Sequence, residues 1–333
     1  MRAADLLPGL ALLALIGAIG WGLGTVTPIP GLVAAVVVGA FLGNTRGYSA
    51  RFTPGVGTYK LWLETGIVLM GAGITIDAVL DAGPTVLGLV LAVVTGTLLF
   101  VELTARRVLS VPEKLASLLA AGASICGVSA VVSVAGSIEA EDSHVAYASA
   151  AVLAFDAVTL VVYPAVGAAL SLPDIAYGVW AGTTMFSTGP VTAAGFAYSE
   201  TAGRWAVLVK LARNTLIGVV TVGYALYYSR REAGSDAGDA AERPGLGAVV
   251  AKAPRFLVGF LLLAVLGNTV LSGATVSALT TLSDGLFLLA FAGLGLALRL
   301  KTLRAAGLGP LAVLAVSLVT FSTAVLGVVS VLF

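Results

Sequence analysis

Apolar runs fill this chain from its first turn to its last residue, each ended by charge or by proline and glycine. They fall at 6–26, 30–44, 61–80, 85–105, 115–137, 145–170, 175–198, 205–228, 254–271, 276–298 and 308–333. A helix needs about 20 apolar residues to cross bilayer hydrocarbon. The pattern therefore predicts an all-α membrane protein of about 11 transmembrane helices. The second run is short and fits a tilted or incomplete span. Residues 1–26 resemble a leader, but the apolar stretch is long, follows only Arg2 and lacks a small-residue cleavage site. It reads as a retained first span. The one long polar stretch, 229–253, is rich in Gly, Ser, Asp and Ala, as in a flexible cytoplasmic linker. It sits within what reads as one polytopic domain, 1–333.

Composition agrees with the pattern. Hydrophobic residues make up 59% of the chain and charged residues 11%, and the mean hydropathy is +1.04. A soluble domain carries about 25% charge, so lipid must cover most of this surface. A net charge of +1 gives no field for nucleic acid. A single cysteine, Cys126, excludes an intrachain disulfide.

Charge placement tests the span count. With the N-terminus inside, fifteen of the 18 Lys and Arg residues fall in inside segments. Arg204 falls outside, and Lys210 and Arg213 lie within a span. Acidic residues without bases (Asp77 and Asp81, then Glu139, Glu141 and Asp142) mark outside loops. The positive-inside rule thus predicts a multi-pass plasma-membrane protein, N-terminus cytoplasmic and C-terminus outside.

An internal repeat is visible at a constant offset of 224 residues. Pro30, Ala40, Leu42, Gly43 and Asn44 map onto Pro254, Ala264, Leu266, Gly267 and Asn268; Gly71 maps onto Gly295. An odd number of spans separates the copies, so the repeat would be inverted, a common construction of alternating-access transporters. Asn44 and Asn268 each follow glycine at a span end, where C-capping is the simpler role.

Two spans are interrupted midway, giving two discontinuous helices. One carries GASICGVSA at 122–130, the other FSTGPVTAAG at 186–195. Gly and Pro weaken helices, and Ser and Thr can satisfy freed backbone groups. Broken helices place half-helix N-termini near the bilayer midplane, where they suit a small anion. Small residues that merely allow close packing are the competing reading. The candidate ligand groups are Ser124, Cys126, Gly127, Ser129, Thr188, Gly189 and Thr192. Lys210, Arg213 and Asn214 share a face of the eighth span, and an intramembrane basic pair is a functional-site hypothesis by default; snorkelling to headgroups is the alternative. Asp156 near the centre of the sixth span, and Asp284 beside Thr280, Thr281 and Ser283 in the tenth, are candidate coupling or proton-carrying groups; structural pairing or packing would also account for them. Glu64 with Lys60, and Glu102 with Arg106, read as interfacial ion pairs. His144 reads as solvated. No metal-ligand spacing, P-loop or dinucleotide fingerprint is present, so the chain is read as a non-enzyme without cofactor.

The run at 124–130, with Leu42-Gly43-Asn44, the GIVLMG run at 66–71, Tyr163-Pro164, the 191–195 stretch and the Lys210 to Arg213 segment, resembles the YeiH-type sulfate exporter family of bacterial inner-membrane proteins. The resemblance covers the chain from about Pro30 to its end. It implies a multispan transporter within the cation–proton antiporter and anion transporter superfamily, with crossed broken helices and sulfate or a related sulfur oxyanion as cargo. Asp156 and Glu64 depart from that pattern. In that superfamily the broken helices cross antiparallel, whereas the count above makes the fifth and seventh spans parallel. A re-entrant span or a permuted repeat would reconcile them.

The leading expectation is a secondary transporter of a small inorganic or organic anion, with H+ or Na+ as coupling ion. A cation–proton exchanger using Asp156, and a membrane scaffold or sensor that transports nothing, are the rivals. A homodimer is compatible with the sequence.

Overall fold

The computed structural model describes residues 3–27, 30–45, 47–73, 76–232, 255–298 and 308–333. Its helices are α1 (Ala3–Val26), α2 (Gly31–Thr45), α3 (Thr53–Val56), α4 (Tyr59–Met70), α5 (Ile76–Arg107), α6 (Glu113–Ser124), α7 (Val128–Ile138), α8 (Asp142–Ala169), α9 (Asp174–Thr184), α10 (Thr188–Tyr198), α11 (Glu200–Asn214), α12 (Ile217–Glu232), α13 (Arg255–Thr269), α14 (Gly273–Ala297) and α15 (Leu308–Leu332). There is no strand among the described residues. Among the described residues six runs are long and apolar enough to cross a bilayer: Asp5–Val26, Gly83–Arg107, Asp142–Ala169, Glu200–Arg231, Gly273–Ala297 and Gly309–Leu332. Shorter apolar helices accompany them. The protein is an all-α membrane protein. Of the predicted linker, 229–232 continue α12 as helix, and 233–253 lie outside the described residues.

By internal packing the chain groups into two units. The first holds Met1–Pro84, Thr192–Arg204 and Arg255–Leu300. Here α2 packs along α14, α13 packs against α4, and α1 covers α2 and α14. Leu13, Ile16, Val56, Ala292 and Leu296 form a fully buried apolar cluster. The repeat seen in the sequence governs these contacts. A Cβ on Gly295 would lie 2.2 Å from the Val36 carbonyl oxygen, and one on Gly71 would lie 2.5 Å from that of Phe260. Gly71 and Val36 map onto Gly295 and Phe260 at the same 224-residue offset, so each copy lends the other the same contact. Gly43 against Leu296 O and Gly267 against Ala72 O repeat the exchange at 2.9 and 2.1 Å. Glycine lets the backbones touch, which is how helices associate where lipid offers no hydrophobic drive. Asn44 and Asn268 each donate from Nδ2 to the carbonyl four residues back, at 2.8 and 2.7 Å. Asn44 also donates to Leu298 O at 2.7 Å, as a capping group would.

The second unit holds Thr85–Val191, Trp205–Pro254 and Lys301–Phe333. Its centre is α6 and α7, which pack on each other, on α8 and, through α7, on α12. These two helices correct the sequence reading. The fifth predicted span, 115–137, does not cross; it folds back. A straight helix would separate Lys114 from Glu139 by about 37 Å, yet Lys114 Nζ donates to Glu139 O at 3.3 Å. The reversal sits at Gly127, whose φ of +71° suits glycine alone among common residues. Gly122 lets the arms close, since a Cβ there would lie 2.9 Å from Val131 and Val152. Glu139 at φ +49° ends α7. The acidic residues expected on the opposite face from Lys114 therefore begin on the same one. Arms of 12 and 11 residues reach about 17 Å, half the hydrocarbon thickness. On the far side, α15 packs on α8 and α9. Trp180 donates from Nε1 to Ser322 Oγ at 3.0 Å and stacks on Tyr163 with ring centroids 4.2 Å apart.

Candidate functional site

Both predicted interruptions are present. The first lies between α6 and α7 at 125–127, the second between α9 and α10 at 185–187. Each leaves a half-helix C-terminus whose carbonyls lack partners within the helix and carry partial negative charge. In this structure both ends converge on Lys210 and Arg213 of α11. Lys210 Nζ donates to Ile125 O at 2.9 Å, to Met185 O at 2.8 Å and to Phe186 O. Arg213 donates from Nε to Ser124 O at 3.1 Å. Its terminal nitrogens donate to Met185 O (2.8 Å), Gly182 O (3.4 Å), Ala123 O (2.9 Å) and Ser124 O (2.7 Å). All three ammonium donors and every guanidinium nitrogen are engaged with carbonyls. Both side chains are fully buried, a costly placement unless such partners are present. They do not snorkel.

Asp156 of α8 takes the complementary position. Its Oδ1 accepts the Ser187 N–H at 3.1 Å, just before α10 begins, so a carboxylate sits at a half-helix N-terminus. The Ser187 hydroxyl lies close enough to interact with that carboxylate, yet among the described residues neither it nor Asp156 Oδ2 meets hydrogen-bond geometry with a partner. Asn214 donates from Nδ2 to Thr188 Oγ1 at 3.1 Å, and its Oδ1 is buried and unpartnered. Three polar atoms around the break at 185–187 are thus without a hydrogen-bond partner among the described residues.

The N-terminus of α7 differs. Gly127 caps it with no side-chain hydrogen bond, and Ser129 in its first turn is exposed. A Cβ on Gly127 would fall 1.9 Å from the Ser187 Oγ, so this open end lies directly against the unpartnered hydroxyl. Ser124 contributes its carbonyl, while its hydroxyl donates to Ala121 O at 3.5 Å. Cys126 is buried at the tip, and Gly189 is buried in α10. Thr192 is buried, in the part of α10 that groups with the first unit. Asp284 is also in the first unit and is exposed, with Glu200 and Arg204 as its charged neighbours. No cluster of three His, Cys, Asp or Glu suited to a metal occurs among the described residues.

Sequence reasoning missed the six carbonyls that hold the cations, because backbone acceptors have no residue signature. It also passed over Ser187, although that residue lies within the second motif. Tyr163, whose hydroxyl meets Thr184 Oγ1 at 2.9 Å and Ser322 Oγ at 3.0 Å, was noted only for its Tyr-Pro pair.

Fold and site together define a polytopic helical membrane protein with discontinuous helices and a buried cation pair. The family described as Conserved hypothetical protein 698 matches residues 8–314, and the chain belongs to it. A UPF0324 membrane protein of Nitratidesulfovibrio vulgaris is 33% identical over 278 residues, covering 83% of this chain and 76% of that protein. One from Streptococcus pyogenes serotype M6 is 31% identical over 333 residues, covering 95% and 96%. One from Clostridium tetani is 29% identical over 293 residues, covering 84% and 82%.

Proposed function

We propose that the protein is a secondary transporter of a small anion, with sulfate or a related sulfur oxyanion as the cargo that its family resemblance suggests. One observation carries the reading. The Lys210–Arg213 pair is fully buried and wholly occupied with the carbonyl ends of two broken helices, beside an uncapped α7 N-terminus and a free hydroxyl on Ser187. A buried ion set of this kind adds little to stability compared with an apolar replacement. Its use is to hold a half-helix tip in a fixed, net positive setting. The anion would sit at the N–H groups of the α7 first turn, with Ser129 and Ser187 as hydroxyl donors. The cations act through the field and not by direct contact.

In a bilayer the path becomes two re-entrant hairpins. Arg106, Lys114, Glu139 and Arg231 share one face, linked by Lys114–Glu139, Arg231–Glu113 and Arg106–Tyr227 contacts. Helix α8 leaves that face, and the run Glu200–Arg231 returns to it. The chain thus enters α9 and leaves α10 on the opposite face. The basic face is the cytoplasmic one by the positive-inside rule, with the N-terminus inside and the C-terminus outside, in the plasma membrane.

Counterflow into proteoliposomes preloaded with sulfate or sulfite tests this. Wild-type protein should accumulate the labelled anion. Lys210→Ala and Arg213→Ala should lose uptake, and Ser129→Trp, which fills the tip without touching the carbonyl knot, should do the same while remaining folded. Uptake unchanged in all three rejects the site.

A second reading has one observation in its favour: Asp156 Oδ2 and Asn214 Oδ1 are unpartnered acceptors, which suit a proton or Na+. It predicts proton release on sodium addition, abolished in Asp156→Asn.

A further inference from the structure

A second polar cluster lies away from the hairpin tips, where α5 and α12 end. A groove of about 620 Å³ opens there. Its floor is apolar, formed by Leu98, Leu103, Val220 and Gly223. Its upper rim carries Arg106, Arg107 and Arg231 with Tyr227. From Leu98 to Arg107 the floor climbs about 14 Å along α5. The two acidic groups of the groove are already engaged. Glu102 accepts from Tyr224 at 2.8 Å and from Ser117 at 2.9 Å and pairs with Arg106. Glu113 pairs with Arg231 at 2.7 Å. Arg107 is exposed and forms no ion pair among the described residues. Arg106 Nε is buried without a partner. Among the described residues lining the groove, three guanidiniums face two carboxylates, leaving one cation in excess.

We infer that this groove holds one anionic membrane phospholipid, its phosphodiester at Arg107 and its acyl chain along Leu103 and Val220. The graded lining argues for a lipid. A soluble phosphate would find an apolar floor with nothing to bind, and the groove opens at the ends of two membrane-crossing runs, Gly83–Arg107 and Glu200–Arg231. Tyrosine and arginine at that depth match the interfacial belt of membrane proteins, and basic pockets between spans on the cytoplasmic side are where anionic headgroups dock. A single excess cation suits the single negative charge of a phosphodiester. The occupant has a structural consequence, because Arg106 and Tyr228 also hold Ser117 of the α6 arm, at 3.0 Å each. The lipid would steady the scaffold on which the hairpin rests.

Native mass spectrometry of detergent-purified protein, exchanged into equimolar phosphatidylglycerol and phosphatidylcholine, tests the assignment. The expected result is preferential retention of one phosphatidylglycerol. Arg107→Gln, which removes no hydrogen bond or ion pair among the described residues, should weaken that retention about fivefold, and Arg107→Lys should keep most of it. Gly223→Leu should abolish it by filling the floor, since a Cβ there meets nothing within 4 Å and the fold is left alone. Equal retention of the two lipids by wild type, or unchanged retention in both Arg107→Gln and Gly223→Leu, overturns the proposal. Thermal stabilisation by inorganic phosphate as strong as that by phosphatidylglycerol would show a free-anion site instead, and also overturns it.

Discussion

The first unit and the hairpin unit face the same difficulty, helical backbone in an apolar setting, and solve it in opposite ways. In the first, backbones approach through glycines, and the contacts recur under the repeat: Gly71 on Phe260, Gly295 on Val36. Charge plays a smaller part there: Arg204 Nη1 donates to Gly73 O at 2.8 Å, but among that unit's described residues no charged side chain is fully buried. In the hairpin unit two helices stop midway, and a lysine and an arginine take over the abandoned carbonyls. Close packing supplies a frame. Broken helices supply polar ends at depth, and those ends are what a solute could use.

Substitutions can break this contrast. The largest effect is expected for Arg213→Ala, which strands the carbonyls of Ala123 and Ser124. Removing one member of a buried charged network costs about 3–5 kcal/mol, visible as a lowered unfolding temperature in detergent and as lost transport. Next come Gly295→Ala and Gly71→Ala, each driving a methyl into a carbonyl oxygen at 2.2 or 2.5 Å. Overpacking of this kind costs about 1–3 kcal/mol. The repeat predicts that the two losses match; clearly unequal melting shifts would break the symmetry argument. Gly127→Ala should cost about 1–3 kcal/mol through its positive φ, with a further penalty from contact with Ser187, read in the same melting assay. Asp156→Asn should change stability by less than about 1 kcal/mol, since its amide oxygen can still accept the Ser187 N–H. Flux across a pH gradient in that variant separates a coupling role from a positional one. Smallest is Gly136→Ala, where a Cβ meets nothing within 4 Å; a helical Gly→Ala change there should stabilise by about 0.5–1 kcal/mol.

The sequence revealed the apolar helices, the repeat and both interruptions because each rests on local composition: apolar runs, matched glycines and asparagines, and Gly-Pro clusters at depth. It also singled out Lys210 and Arg213, because buried bases are rare. The hairpin escaped for a reason of arithmetic. Two arms of 12 and 11 residues joined by three read as one span of ordinary length. Turning two spans into hairpins removes two crossings, so every later loop keeps its face and the charge rule stays satisfied. The clue was in the loops. The predicted inside segment at 171–174 carries no base. The antiparallel crossing expected of the superfamily also pointed to a re-entrant segment. The cations' partners stayed hidden because they are carbonyls.

The account stands on the reversal of the chain at Gly127. Spin labels at positions 114 and 139, in a Cys126→Ala background and in lipid nanodiscs, measure it directly by pulsed electron resonance. A continuous span gives about 37 Å before label linkers are counted; a hairpin gives less than half of that. A short distance is the predicted result, and a distribution centred near the longer value would contradict the account.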